Sequence, residues 1–163
     1  MELPVHIVLI GLGATVTMDA WGLLRWRVFG VPRADYGRVG RWLGHMAAGQ
    51  FRHEAIARSP PVRGERVLGW VAHYLTGVAF AALLPVVWGD AWLRDPTPLP
   101  ALLLGVGTVA APFLLMQPGM GAGVAASRTA EPGRARLHSL VNHLVFGAGL
   151  YLSAMFLRPL FPA

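Results

Sequence analysis

Six polar side chains lie inside apolar stretches of this sequence, and their types could support chemistry. They are Asp19, His73, Gln117, His138, Asn142 and His143. An ionisable residue within a membrane span costs about 2.5–3.5 kcal/mol on insertion scales, so each one needs a physical reason. A carboxylate and imidazoles in a dry site can exchange protons, hold a metal or haem, or fix helix packing through hydrogen bonds. Because the sequence contains no cysteine, it excludes thiol nucleophiles, disulfides and zinc–thiolate sites.

The composition indicates whether these side chains lie in a membrane protein or in a soluble one. The chain has 163 residues, of which 55% are hydrophobic and 13% charged, and its mean hydropathy is +0.50. Average soluble domains are roughly 45–50% apolar and about 25% charged. These differences favour a polytopic membrane protein, and the length allows one compact unit. We therefore predict a single integral membrane domain over residues 1–163, with the lipid bilayer as its surroundings.

Four apolar stretches approach the ~20 residues that a helix needs to cross the hydrocarbon layer. They cover about residues 4–24, 67–88, 99–126 and 137–157. In lipid every backbone amide must be paired within its span, so each stretch is predicted to be helical. The predicted fold class is all-α, a four-helix transmembrane bundle.

The charge distribution predicts how the spans are oriented. All fourteen basic residues are arginines, and twelve of them lie in the loops after the first and third spans. By the positive-inside rule both loops face the cytoplasm and both termini lie outside it. The net charge of +6 is thus a topology signal. Nucleic-acid binding is not expected, because no groove-reading or stacking pattern accompanies the basic residues.

The first cytoplasmic loop, residues 25–66, contains a short amphipathic pattern. Four apolar residues recur at i, i+3, i+4 and i+7 from Val39 to Met46, while Arg38 and Arg41 lie on the opposite face. This spacing predicts a short helix at the level of the lipid headgroups. Arg38, Arg41 and Trp42 are candidates for contacts with the membrane interface or with a partner.

Two further histidines lie in the same loop. His45 and His53 are expected to be solvated or to face the headgroups.

Four of the intramembrane residues are predicted to form one polar cluster, and they are Asp19, His73, Gln117 and His143. Counting ~1.5 Å per residue from the nearest inner arginine puts all four in the cytoplasmic half of the membrane. The two histidines and Asp19 share helix faces with small residues, which mark close helix contacts in membranes. We expect this cluster to bind protons, a small solute or an ion.

The third span is a poor helix around Gln117. Residues 116–123 contain Pro118 and three glycines. Broken helices within membranes often line binding sites in transporters. The competing interpretation is a kinked helix in which Gly119 and Gly123 allow a neighbour to pack closely.

Three interpretations of the polar cluster remain open. The first is a proton or ion relay centred on Asp19, and the second is a metal or haem site with His73, His143 and Asp19 as candidate ligands. The third is a purely structural set of hydrogen bonds. The sequence requires no cofactor, although haem or a divalent metal stays open under the second interpretation. No catalytic residue is identified, and an enzyme is not favoured.

Several local motifs resemble a known family. They are Gly-Arg-Trp-Leu-Gly-His at 40–45, Phe-Arg-His at 51–53, Gly-Glu-Arg-Val-Leu-Gly-Trp at 64–70, Met-Gln-Pro at 116–118 and His-Leu-Val-Phe-Gly at 143–147. Together they resemble a bacterial family of small integral membrane proteins known only as a domain of unknown function. The resemblance implies a multi-pass protein of the bacterial inner (plasma) membrane with four helices. It implies no activity, cofactor or partner.

The leading hypothesis is a small-solute or ion transport-type protein with a polar site that faces the cytoplasm. One alternative is a haem- or metal-binding redox protein. Another is a non-catalytic accessory subunit whose arginine-rich loop binds a partner or anionic lipid. A homo-oligomer is compatible with each of them, and the sequence identifies neither the solute nor the ion.

Overall fold

Residues 2–160 are described in a computed structural model, and within that range the chain forms helices and no strands. The α-helices are α1 (Leu3–Phe29), α2 (Tyr36–Ala47), α3 (Glu65–Trp88), α4 (Ala91–Arg94), α5 (Pro98–Gly107), α6 (Gln117–Gly119) and α7 (Pro132–Leu157). A π-helical turn, Pro112–Met116, precedes α6, and three single 3₁₀ turns cover Ile56–Arg58, Val124–Ala126 and Arg158–Leu160.

Within residues 2–160, four helical segments are long and apolar enough to cross a membrane. They are Leu3–Phe29, Glu65–Trp88, Pro98–Gly119 and Pro132–Leu160. This confirms the predicted all-α fold class with four membrane-spanning helices. Large side chains such as Val86 and Phe156 are 77% and 85% exposed, as expected where a helix faces lipid tails.

The observed helix ends differ from the predicted spans for identifiable reasons. The first helix continues to Phe29, five residues further than expected, and stops where Gly30 adopts a left-handed φ of 64°. Such a glycine lets the amide groups after the helix bond back to its last carbonyls. The third segment ends at Gly119, well before the predicted residue 126, because Gly121 and Gly123 both have positive φ.

The chain divides into two compact units. Unit 1 comprises residues 1–33, 74–108 and 141–163, and unit 2 comprises residues 34–73 and 109–140. Each unit positions a different set of the predicted functional residues.

Within unit 1, small residues let the long helices approach closely. A Cβ added to Gly11 of α1 would lie 2.5 Å from the Cα of Val78 in α3. One added to Gly105 of α5 would lie 2.5 Å from the Cα of Gly147 in α7. Membrane helices associate largely through this kind of packing. Among the described residues of the unit, ten buried ones form its core: Ile10, Ala14, Ala81, Leu84, Trp92, Leu93, Ala101, Phe146, Leu150 and Ala154.

Within unit 2, the predicted amphipathic helix packs against the start of α3. Gly40 of α2 is buried, and a Cβ there would overlap the carbonyl oxygen of Glu65. A Cβ on Gly69 would likewise overlap the carbonyl oxygen of Tyr36. The backbones of α2 and α3 therefore touch at this crossing, and no larger residue fits at either glycine.

Candidate functional site

Asp19 lies in α1 and receives a hydrogen bond from a neighbouring helix of unit 1. The hydroxyl of Tyr74 donates to its Oδ2 over 3.0 Å, and the carboxyl side chain is partly buried. Thr15, one turn earlier on the same face, is buried against Gly77 of α3. The small-residue row that leads to Asp19 thus faces a helix contact, as its spacing predicts.

His143 lies in α7, also in unit 1, with its ring held by Thr108. The Thr108 hydroxyl donates its single proton to the carbonyl of Gly105 over 2.6 Å. The Nδ1 of His143 lies 2.9 Å from the same hydroxyl oxygen. The tautomer in which Nδ1 donates to this oxygen leaves the lone pair on Nε2.

His73 belongs to unit 2 and lies in an aromatic group where α2 begins. Its ring stacks on Tyr36 with centroids 4.1 Å apart and planes inclined by 24°. Trp70 contacts both rings at centroid distances of 4.6 Å to Tyr36 and 5.9 Å to His73. The imidazole of His73 therefore packs against aromatic rings at the crossing of α2 and α3.

Gln117 lies in unit 2 at the interruption of the third membrane-length segment. The π-helical turn Pro112–Met116 comes directly before it, and the helix ends two residues after it. Its side-chain oxygen Oε1 is buried and has no hydrogen-bond partner within residues 2–160. Beyond the helix end, Ala125 and Ala126 adopt positive φ values of 47° and 58°, which are strained for residues with a Cβ.

The loop before α3 packs directly on this interruption. The amide of His53 donates to the carbonyl of Gly119 over 2.9 Å, and the amide of Ile56 donates to the carbonyl of Met120 over 3.0 Å. Gly121 fits against the carbonyl of Glu54, where a Cβ would overlap. The end of the third segment is therefore closed by the main chain of residues 53–56.

His53 is buried here, so the expectation of a solvated or headgroup-facing ring is wrong for this residue. It is 9% exposed, and its Nδ1 lies 2.8 Å from the hydroxyl of Ser59. Its Nε2 is buried without a hydrogen-bond partner in the described chain. The ring of His45 meets it edge-on at 5.0 Å, and the Nε2 of His45 donates to the carbonyl of Pro60 over 3.0 Å. Since residues 48–55 have no helical or strand period, the sequence carried no signal for this burial.

Arg41 links α2 to the start of α3 and to the same loop. Its Nε and Nη2 donate to the two carboxylate oxygens of Glu65 at 2.8 Å and 2.7 Å, and its Nη1 donates to the carbonyl of Ser59 at 3.1 Å. The two charged side chains are only 17% and 21% exposed. The hydrogen bonds with Glu65 raise the pKa of the Arg41 guanidinium, so this arginine stays charged. Because twenty-four residues separate Arg41 from Glu65, no short sequence motif predicts this ion pair.

Trp42 and Arg38, the other two residues predicted to contact the membrane interface or a partner, differ in their exposure and in their contacts. Trp42 donates its indole N–H to the carbonyl of Phe51 over 2.9 Å, and its ring lies against Gly119. Arg38 pairs with Asp35 at the surface, where both side chains are more than half exposed. Trp42 and Arg41 thus have partners within the chain, and the predicted contacts of all three residues with a membrane interface or partner stay predictions.

The four residues of the predicted polar cluster are divided between the two units. Asp19 and His143 belong to unit 1, and His73 and Gln117 belong to unit 2. Their convergence stays a prediction. Within residues 2–160, no three His, Asp or Glu side chains are placed to hold one metal ion.

Comparison with known proteins gives a family without an assigned activity. The family model described as "Protein of unknown function (DUF2938)" matches residues 8–157. Nothing among the curated proteins or the solved structures matches the chain. Because the match covers nearly the whole sequence, the chain belongs to the DUF2938 family of proteins of unknown function.

Proposed function

We propose that this protein is a membrane transport-type protein for a small solute or ion, with Asp19 as its proton-exchanging carboxylate. The observation that carries the proposal is the carboxylate itself, which lies within α1 and accepts a hydrogen bond from Tyr74. Ionisable groups in membrane spans are costly, and they recur in the proton pathways of pumps and transporters. The Tyr74 hydroxyl donates to one of the two carboxylate oxygens and so helps to hold the side chain in one orientation.

The interrupted third segment supports a solute contact at Gln117. Its amide oxygen is buried without a hydrogen-bond partner in the described chain, and such an acceptor favours a ligand that brings a donor or a cation. In transporters, discontinuous helices coordinate substrates and ions through their helix ends and unwound backbone carbonyls, and Gln117 lies at such an interruption. His143, whose Nδ1 lies 2.9 Å from the Thr108 hydroxyl, is a second candidate for proton or solute binding in this proposal.

The test is proton movement in vesicles that contain the purified protein and the pH dye pyranine. Gradients of sodium, potassium, inorganic phosphate and tetraphenylphosphonium are imposed one at a time. We expect at least one gradient to change the internal pH faster than in protein-free vesicles. We expect Asp19→Asn to reduce that rate at least tenfold, to the level of protein-free vesicles. Gln117→Leu should raise the KM for the active ion more than it lowers the maximal rate.

Glu131→Gln is the matched control, because Glu131 is a surface carboxylate with 65% of its side chain exposed. It should transport at the wild-type rate. Gel filtration and circular dichroism establish that Asp19→Asn is folded before its rate is interpreted. A wild-type protein that responds to none of the four gradients refutes the transport proposal. Full transport by folded Asp19→Asn refutes the role of the carboxylate.

A further inference from the structure

Two polar N–H groups on α1 are buried without an acceptor. The indole Nε1 of Trp21 and the guanidinium Nε of Arg25 have no hydrogen-bond partner within residues 2–160. The residues are four apart and therefore share one helix face. The Arg25 guanidinium carbon lies 5.7 Å from the centroid of the Trp21 ring, so the two side chains form one group.

The chemistry of this group defines what would satisfy it. Indole and guanidinium nitrogens are donors only, so neither side chain can satisfy the other. A buried donor without an acceptor costs about 1–3 kcal/mol, and native proteins keep few of them. Because Arg25 also carries a positive charge, an anionic oxygen is the acceptor that fits best. A phosphate offers several such oxygens on one atom and can take both N–H groups together.

The surroundings of the group favour a lipid as the source of that phosphate. Arg25 lies four residues before the end of α1, which is ~6 Å along the helix from its last residue. At this level Leu24 is 50% exposed, so acyl chains can reach the helix. The helix surface beside Trp21 is also open, since a Cβ added at Gly22 would meet no atom within 4 Å outside its own stretch of α1.

We propose that Trp21 and Arg25 form a binding site for the phosphate of an anionic phospholipid. The guanidinium supplies the charge-assisted hydrogen bond, and the indole N–H supplies a second bond that fixes the phosphate against the ring. This site involves neither Asp19 nor the interrupted third segment, so it stands independently of the proposed transport function.

Native mass spectrometry of the full-length protein in detergent can measure the affinity for the first bound lipid. Dioleoylphosphatidylglycerol is the lipid probe, and glycerol 3-phosphate is the soluble probe, a phosphate monoester without acyl chains. We expect one saturable lipid adduct and no adduct with glycerol 3-phosphate at the same concentration. Arg25→Gln should raise the Kd for the lipid at least about tenfold, and Trp21→Phe, which keeps an aromatic ring but removes the N–H group, by about two- to tenfold.

Neighbouring residues of the same types provide matched controls. Trp26 is 50% exposed, and Arg27 is exposed one residue later. Trp26→Phe and Arg27→Gln should leave the Kd within about twofold of the wild type, because neither parent residue holds a buried unpaired N–H. Arg25→Lys keeps the charge and loses the Nε donor. It therefore tests the geometry if Arg25→Gln does not fold.

Three results would overturn the proposal. Equal binding of glycerol 3-phosphate would assign the site to a soluble anion. Equal weakening by Arg27→Gln and Arg25→Gln would mean that a diffuse basic surface attracts the lipid. A Kd unchanged in both Trp21→Phe and Arg25→Lys would show that these two N–H groups do not bind phosphate.

Discussion

The contact between the loop and the interrupted third segment can be tested at one glycine. Gly121 has a φ of +94°, and a Cβ on it would overlap the carbonyl of Glu54. A residue with a Cβ in left-handed backbone costs about 1–2 kcal/mol. Forcing an additional methyl group into a closed contact costs about 1–3 kcal/mol more. Gly121→Ala should therefore destabilise this contact by about 2–5 kcal/mol.

Two other glycines of unit 2 separate the two contributions. Gly49 has a φ of +82° with nothing within 4 Å of an added Cβ, so Gly49→Ala should cost only the backbone term of about 1–2 kcal/mol. Gly133 lies in α7 with no positive φ and nothing within 4 Å, so Gly133→Ala should be neutral or slightly stabilising. In this series Gly133→Ala adds neither effect, Gly49→Ala adds backbone strain alone, and Gly121→Ala adds backbone strain and steric overlap.

Amide hydrogen exchange in detergent micelles reports the contact directly. The amides of His53 and Ile56 bond the carbonyls of Gly119 and Met120, so both should lose protection in Gly121→Ala. Amides in the core of unit 1 provide the internal reference. If these two amides exchange equally in Gly121→Ala and Gly49→Ala, the steric argument is refuted and the loop is not held by this close contact.

Two further substitutions test individual interactions. Trp42→Phe removes the indole N–H that bonds the carbonyl of Phe51 and ring atoms that lie against Gly119, and it should lower the free energy of unfolding by at least about 0.5–1.5 kcal/mol in a denaturant titration. Leu84→Ala empties a position that is 0% exposed, and it should lower that free energy by about 2–5 kcal/mol, towards the lower end because lipid is itself apolar. Leu75→Ala, at a position 64% exposed, should change stability by less than about 0.5 kcal/mol, and an equal loss at both leucines would contradict the assigned core.

The membrane helices were predictable because one physical requirement dominates them. A backbone in hydrocarbon must satisfy its own hydrogen bonds, so length and hydropathy suffice to locate four helices. The amphipathic period likewise located α2. Gly49, which has a left-handed φ, follows just after the helix ends. The interruption near Gln117 was visible as well, since proline and glycines are concentrated there. Composition did not predict the residue at which the third segment ends, because that depends on the φ values of Gly121 and Gly123.

The contacts around the loop were not predictable because they join residues far apart in sequence. The burial of His53 follows from main-chain bonds to residues 119 and 120, more than sixty positions away. The ion pair of Arg41 with Glu65 depends on two glycines that bring α2 against α3. A charged residue on the polar face of an amphipathic helix is usually solvated, so pattern alone favours the surface. Only the crossing at Gly40 and Gly69 turns Arg41 towards a partner within the chain.

The loop and the interrupted segment are best understood as one structural element. A helix that ends leaves its last carbonyls without intrahelical donors, and such groups are costly wherever water is scarce. At this interruption the carbonyls of Gly119 and Met120 receive the amides of His53 and Ile56. The loop therefore supplies the donors that make the break in the third segment tolerable. It follows that a substitution which displaces the loop, such as Gly121→Ala, should also alter any solute contact at Gln117, although it touches no solute itself.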